Sequence, residues 1–319
     1  MENQGQVKTG RSNKDRSRLW LLVGFTAVSG LASGIPLFNA IFYLIGLVSL
    51  IILTVRYGYW PGIIGAALMI VASLFLYGPL LAAGCLLMVI APALLMSYQA
   101  RKIGEPHRIL LWGMAPYLIP VITLIAFYPE MIAQMPSMLT EMNKQLTLSG
   151  AIFGMTGDNL NQTIGSAQAT FEWIIRLLPG IFATMAAAVV LFGYLGAVSI
   201  GSRIGAVMPA FRPMYFWRAH ELWLLPLGLS LLMVLFGGKS FGPIGQNILV
   251  FLAHLYALYG FSVAEYYLRQ SMSSGWLRVI LYLLVIVAAM VIIPILAFIG
   301  LIDSRFDLRK IDEKEVSSS

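Results

Sequence analysis

Lysine and arginine are placed along this chain in a pattern that few folds accommodate. About nine apolar runs, each near the length needed to cross a bilayer, follow one another between residues 19 and 302. Nearly all the basic residues fall in every second connection. A chain of this kind reads as a polytopic membrane protein, and its basic loops set its orientation. Composition agrees. Apolar residues make up 59% and charged residues 11% of the chain, against roughly 45–50% and about 25% in soluble domains. No single water-soluble core hides that much apolar surface, so the bilayer is the solvent for most of it. The formal charge of +7 then reports cytoplasmic loops, not nucleic-acid binding.

The runs cover about 19–34, 37–55, 61–77, 80–98, 109–128, 171–200, 222–236, 245–268 and 276–302. The first, third and seventh are short for a span of about 20 residues, a mismatch that tilt or local thinning absorbs. Lys8, Arg11, Lys14, Arg16 and Arg18 precede the first run, and Arg56 follows the second. Arg101, Lys102 and Arg108 follow the fourth, Arg203, Arg212 and Arg218 the sixth, and Arg269 and Arg278 the eighth. All share one side, the cytoplasm by the positive-inside rule, together with the N-terminus. The opposite loops carry only Lys144 and Lys239, with Arg176 near a run's end. An odd number of crossings would strand Arg305, Arg309, Lys310 and Lys314 outside. Either nine helices leave a mixed-charge tail outside, or one run fails to cross. Pro294 allows a bent re-entrant segment in the last run, and the even count is favoured. The basic N-terminal region and first run look like a secretory signal, but the second run follows almost at once, so an uncleaved first helix is expected.

Three regions follow. Residues 1–18 form a polar, disordered cytoplasmic tail. Residues 19–302 form an all-α bundle of eight or nine transmembrane helices. Residues 303–319 form a charged tail. The one long connection, 129–170, falls outside. Met131, Met135, Met138 and Met142 recur there at helical spacing, which predicts a short amphipathic helix. Gly150, Gly154 and Gly157 then break the chain. Cys85 is the only cysteine and reads as a small buried apolar side chain, which excludes a disulfide framework or thiolate cluster within one chain.

Asn247, His254 and Glu265 lie seven and eleven residues apart, so at about 100° per residue they share one face of the eighth run. Polar groups inside a membrane turn towards a bundle interior, which makes these three candidates for a polar path or ligand contacts. The other reading is interhelical hydrogen bonding. Glu172 and Arg176 form an i,i+4 pair at the mouth of the long connection. Thr26, Gly30 and Gly34 repeat every four residues in the first run, and Gly193, Ala197, Gly201 and Gly205 at the end of the sixth and beyond it. Such faces let helices approach closely, within the chain or against another subunit. Arg218, His220 and Glu221 among Trp217 and Trp223 read as an interfacial anchor. Enzyme signals are weak. Gly238-Lys239-Ser240 has the end of a phosphate loop, but Met233 stands where that motif needs glycine. His107, His220 and His254 fall in different segments, so no metal site is implied. No cofactor and no catalytic activity are expected.

Phe211-Arg212-Pro213, Trp217, Leu222-Trp223-Leu224-Leu225-Pro226 and Gly245-Gln246-Asn247 resemble the DUF2232 or YybS-like family of bacterial membrane proteins. So does the ending Gly300-Leu301-Ile302-Asp303-Ser304-Arg305-Phe306-Asp307-Leu308-Arg309-Lys310. That family is distantly similar to substrate-binding S-components of energy-coupling-factor transporters and to the cell-shape protein MreD. The resemblance implies an inner-membrane protein whose first six helices follow the S-component plan. One expectation is capture of a small solute for transmembrane and ATPase partner subunits, with Thr26, Gly30 and Gly34 as the docking face. The alternative is an MreD-like assembly scaffold with no solute.

Overall fold

The structure is a computed structural model that describes residues 13–32, 39–102, 105–152, 157–271 and 274–310. Among these, eleven helices follow one another without a strand. They are α1 (Asn13–Ala32), α2 (Asn39–Tyr57), α3 (Tyr59–Tyr77), α4 (Pro79–Lys102), α5 (Pro106–Ala126) and α6 (Tyr128–Ile152). Then come α7 (Asp158–Ile204), α8 (Leu224–Phe236), α9 (Gly238–Ser271), α10 (Gly275–Val287) and α11 (Ala289–Phe306). Seven helices are long and apolar enough to cross a membrane. The chain divides into two compact units, residues through Ile119 with Ala186–Ala210, and Pro120–Met185 with Phe211 onwards.

In the first unit, α1, α2 and α3 pack on one another. Two one-residue joints fold this unit. Gly58 (φ 101°, ψ 176°) separates α2 from α3, and Gly78 (φ 82°, ψ −179°) separates α3 from α4. That backbone conformation is essentially restricted to glycine, so the sequence stops each helix without spending a loop. Leu47, Leu50, Ile51, Met69, Met96, Val190 and Tyr194 form the buried interior. Small residues set the spacing: a Cβ on Gly30 would lie 2.6 Å from the Met69 carbonyl oxygen, and one on Gly193 would lie 2.3 Å from Leu47 Cδ2. In α4 a π-turn spans Leu86–Ile90. Such a turn leaves carbonyls without their usual partner, and the Tyr117 hydroxyl donates to that of Met88. Cys85 is buried with its sulfur 3.1 Å from Ser73 Oγ.

In the second unit, α9 packs on α8 and most extensively on α11. A Cβ on Gly260 would lie 1.8 Å from the Leu296 carbonyl oxygen, and one on Gly300 would lie 2.1 Å from that of Tyr256. Tyr267, seven residues past Gly260, donates to the carbonyl of Leu308, eight past Gly300, at 2.8 Å, so α9 and α11 run the same way. α10 runs against α9: its Tyr282 hydroxyl donates to Glu265 near the end of α9, and the Tyr282 ring lies 5.5 Å from that of Phe261. The last apolar run therefore leaves one end of the unit and returns to it. The break falls at Ala288 (φ −95°, ψ 23°), whereas Pro294 sits inside α11 without ending it. The expected single helix over 276–302 is thus two, with the hinge six residues before the proline.

Other expectations also need correction. The connection 129–170 is helical over most of its described length. α6 has 25 residues and contains Pro136 and Gly150 without a break, and α7 begins at Asp158. At 1.5 Å per residue, the 47 residues of α7 reach about 70 Å if straight, over twice a hydrocarbon core of about 30 Å. Its polar first turns therefore need no membrane. Met131, Met135 and Met142 are half-buried, but Met138 is exposed. The N-terminal tail ends earlier than expected, because α1 starts at Asn13. The C-terminal tail is no solvated appendage in its described part: Asp303, Ser304 and Arg309 are buried.

Candidate functional site

The densest polar construction lies where the chain re-enters the second unit after α11. Asp307 adopts a left-handed conformation (φ 41°) that caps α11 and turns Arg309 inwards. The guanidinium of Arg309, with 0% side-chain exposure, lies 2.7 Å from Asp303 Oδ2. It also donates to the Tyr215 and Trp217 carbonyls and to Ser262 Oγ, each at 2.7 Å. The Ser262 hydroxyl in turn meets the Met214 and Trp217 carbonyls at 2.6 and 2.8 Å. Those carbonyls are available because 211–223 is not α-helical, with only short 3-10 turns at Met214–Phe216 and Glu221–Trp223. Arg218 clasps the end of α11 from outside, donating from Nε to the Asp303 carbonyl at 3.1 Å and lying 3.7 Å from Asp307. This corrects the anchor reading of Arg218, whose partners are protein groups.

Beside this knot lies Glu265, 5% exposed. Its Oε1 receives two cations, Arg269 at 2.5 Å and Arg278 at 3.8 Å, and its Oε2 accepts from the Tyr282 hydroxyl. Arg269 also covers the Tyr215 ring, 4.6 Å from its centroid. Arg212, Arg218, Arg269, Arg278, Arg305, Arg309 and Lys310 all belong to this end of the unit, on the segment 211–223, the adjoining ends of α9 and α10, or the end of α11.

Asn247 lies at the other end of α9 and has a specific partner. Pro179 interrupts the amide ladder of α7. Asn247 Oδ1 accepts from the Gly180 amide at 2.7 Å, and Nδ2 donates to the Arg176 carbonyl at 2.9 Å. Those are the two groups a straight helix would pair with each other. The side chain thus splints the helix at its proline. Gly180 makes this possible, since a Cβ there would lie 2.5 Å from the Asn247 carbonyl oxygen.

His254 departs from the expected stripe. Its side chain is exposed, and Nδ1 lies 2.8 Å from the Val250 carbonyl of its own helix. The imidazole satisfies itself locally, and the interior-facing path expected through Asn247, His254 and Glu265 is not formed. Glu172 and Arg176 do form their pair, loosely, at 3.8 Å with both side chains partly exposed. The expected docking face on α1 is turned inwards. Thr26 is fully buried and lies 3.3 Å from Ser49 Oγ, while Gly30 abuts Met69. Gly34 lies outside the described residues. Gly201 likewise packs on Met208, and Gly205 ends α7 with φ 84° beside Arg56.

The sequence reading missed Arg309 and Asp303 as a buried pair. Their signal was the mixed charge just past the last apolar run, six residues apart, with Ser304 beside Asp303. A charge run normally means a solvated tail, and only the open carbonyls of 214–217 make burial affordable.

A helical bundle rich in bilayer-length apolar helices, with its second unit gathering arginines at one end, defines a multi-pass membrane protein. The chain belongs to the family described as predicted membrane protein (DUF2232), whose model matches residues 24–304. No curated protein and no solved structure matches the chain.

Proposed function

We propose that this protein is a scaffold of the bacterial cytoplasmic membrane, in the manner of MreD, with its N-terminus and the arginine-rich end of its second unit in the cytoplasm. The observation that carries this reading is the use of its polar residues. Glu265 is saturated by Arg269, Arg278 and Tyr282. Asn247 is saturated by the backbone of α7 and its own helix, and Thr26 and Gly30 by packing within the first unit. The groups that a solute path or a docking face would draw on hold the bundle together instead. The orientation follows from the arginines on one end of the second unit, which the positive-inside rule assigns to the cytoplasm. The α10–α11 return supports a cytoplasmic tail, because it brings Arg305 and Arg309 to the same end of the unit as Arg269 and Arg278.

One observation favours a second reading, an S-component-like solute-binding subunit working with transmembrane and ATPase partners. The first unit contains six helical segments, α1–α4 with the start of α5 and the end of α7, the number that plan requires. Purification from native membranes, with mass spectrometry of co-purifying proteins and small molecules, separates the two. A stoichiometric protein partner without small molecule supports the scaffold. A retained solute together with an ATPase overturns it.

A further inference from the structure

The Glu265 cluster carries more positive charge than it balances. Arg269 and Arg278 converge on the single oxygen Oε1, so two cations share one carboxylate. Arg278 folds back over the start of its own helix, with Nη2 3.8 Å from where a Cβ on Gly275 would lie. The first amides of α10 carry the positive end of the helix dipole, and they have no partner within the helix. A guanidinium stacked there adds to that charge. The Arg278 side chain keeps 22% of its surface exposed. Arg269 remains half exposed, so the cluster opens outwards. Trp276, at the start of α10, is 74% exposed and Tyr267, near the end of α9, 45%. Exposed Trp and Tyr at the end of apolar helices mark the headgroup level of a bilayer.

We propose that Arg278, Arg269 and the first amides of α10 form a site for the phosphate of an anionic phospholipid headgroup. One negative charge balances the second guanidinium and gives the first α10 amides an acceptor. The lipid is favoured over a free phosphate ion because the site lies at the level of the exposed aromatic side chains that mark headgroup depth, where the acyl chains would lie along apolar α10. The position at the cytoplasmic leaflet rests on the orientation proposed above. The binding itself does not, so failure of one is distinguishable from failure of the other.

The test uses the full-length protein in neutral detergent, titrated with phosphatidylglycerol, phosphatidylcholine or inorganic phosphate. Bound lipid is counted by native mass spectrometry and stability is followed by thermal unfolding. Phosphatidylglycerol is expected to bind and stabilise in preference to the other two. Arg278→Gln is expected to weaken it about fivefold, near the worth of one basic residue at an anionic surface. Arg278→Lys, which keeps the charge at Glu265 and guards against misfolding, is expected to keep part of the preference. Equal binding of phosphatidylcholine, an unchanged preference in both Arg278 variants, or equal stabilisation by inorganic phosphate each overturns the lipid site.

Discussion

Replacing Arg309 by methionine removes a cation with no side-chain exposure and leaves its surroundings intact. Four hydrogen bonds go with it, to Asp303, Tyr215, Trp217 and Ser262. Bonds to a charged donor are worth about 1.5–3 kcal/mol each, which bounds the loss from above. The Tyr215 and Trp217 carbonyls can relax towards water at the unit's end, but the Asp303 carboxylate, 1% exposed, cannot. Breaking a buried pair from one side costs about 3–5 kcal/mol, and that is the expected loss of unfolding free energy. Arg305→Met is the control. Arg305 is only four residues away in sequence, but its pair with Glu221 has side chains 64% and 58% exposed, so its loss is expected below about 1 kcal/mol. The double variant Arg309→Met with Asp303→Leu removes both charges and is expected to recover more than half of the Arg309 loss. Asp303 Oδ1 and Arg309 Nε are unsatisfied even in the native knot, and apolar replacements of such pairs are often neutral. The assay is reversible unfolding in mixed micelles with increasing dodecyl sulfate. If Arg309→Met and Arg305→Met differ by less than about 1 kcal/mol, the C-terminal knot does not hold the second unit together.

Asn247→Ala should lower stability by about 0.6–2 kcal/mol in the same assay, because the splint at Pro179 is lost, whereas His254→Ala should change it by less than about 0.5 kcal/mol. Gly260→Ala should destabilise by at least about 1–3 kcal/mol, since its Cβ would meet the Leu296 carbonyl oxygen. Gly228→Ala, with nothing within 4 Å of its Cβ, should be neutral or stabilising by up to about 1 kcal/mol; equal effects at the two glycines would contradict the α9–α11 contact. Cysteines at Ser137 and Lys310 should react with an impermeant thiol reagent in intact spheroplasts and only after lysis, respectively, with little background from buried Cys85; labelling of Lys310→Cys in intact spheroplasts would refute the return through α10 and α11.

Much of the architecture was written in local pattern. Apolar runs of bilayer length have one solution in lipid, the helix, because no water satisfies their backbone groups. Gly58 and Gly78 mark joints, as glycine does wherever φ must be positive. The sequence by itself thus determined an all-α polytopic bundle and the grouping of its basic segments. It also placed Asn247 and Glu265 on one helix face, since periodicity alone decides that. Which neighbour a face meets is not periodic information. Asn247 became a splint because Pro179, 68 residues earlier in the chain, was brought beside it. His254 shares the face within 20° but has no such neighbour, so it turned to its own backbone. Thr26 and Gly30 looked like a docking stripe until Met69 filled it. Arg309 and Asp303 read as solvated charge until the carbonyls of 214–217 closed around them. The break at Ala288 is a site that no helix-breaking residue announces. It goes with the contacts of Tyr282 on α10 with Glu265 and Phe261 of α9 and with the packing of α11 on α9, which bring both ends of the last apolar run to one end of the unit. Composition and spacing fix what each segment can be, because those constraints act along the chain. Long-range contacts fix what each polar residue does, because an unpaired polar group in a low-dielectric interior takes whichever partner the tertiary fold provides.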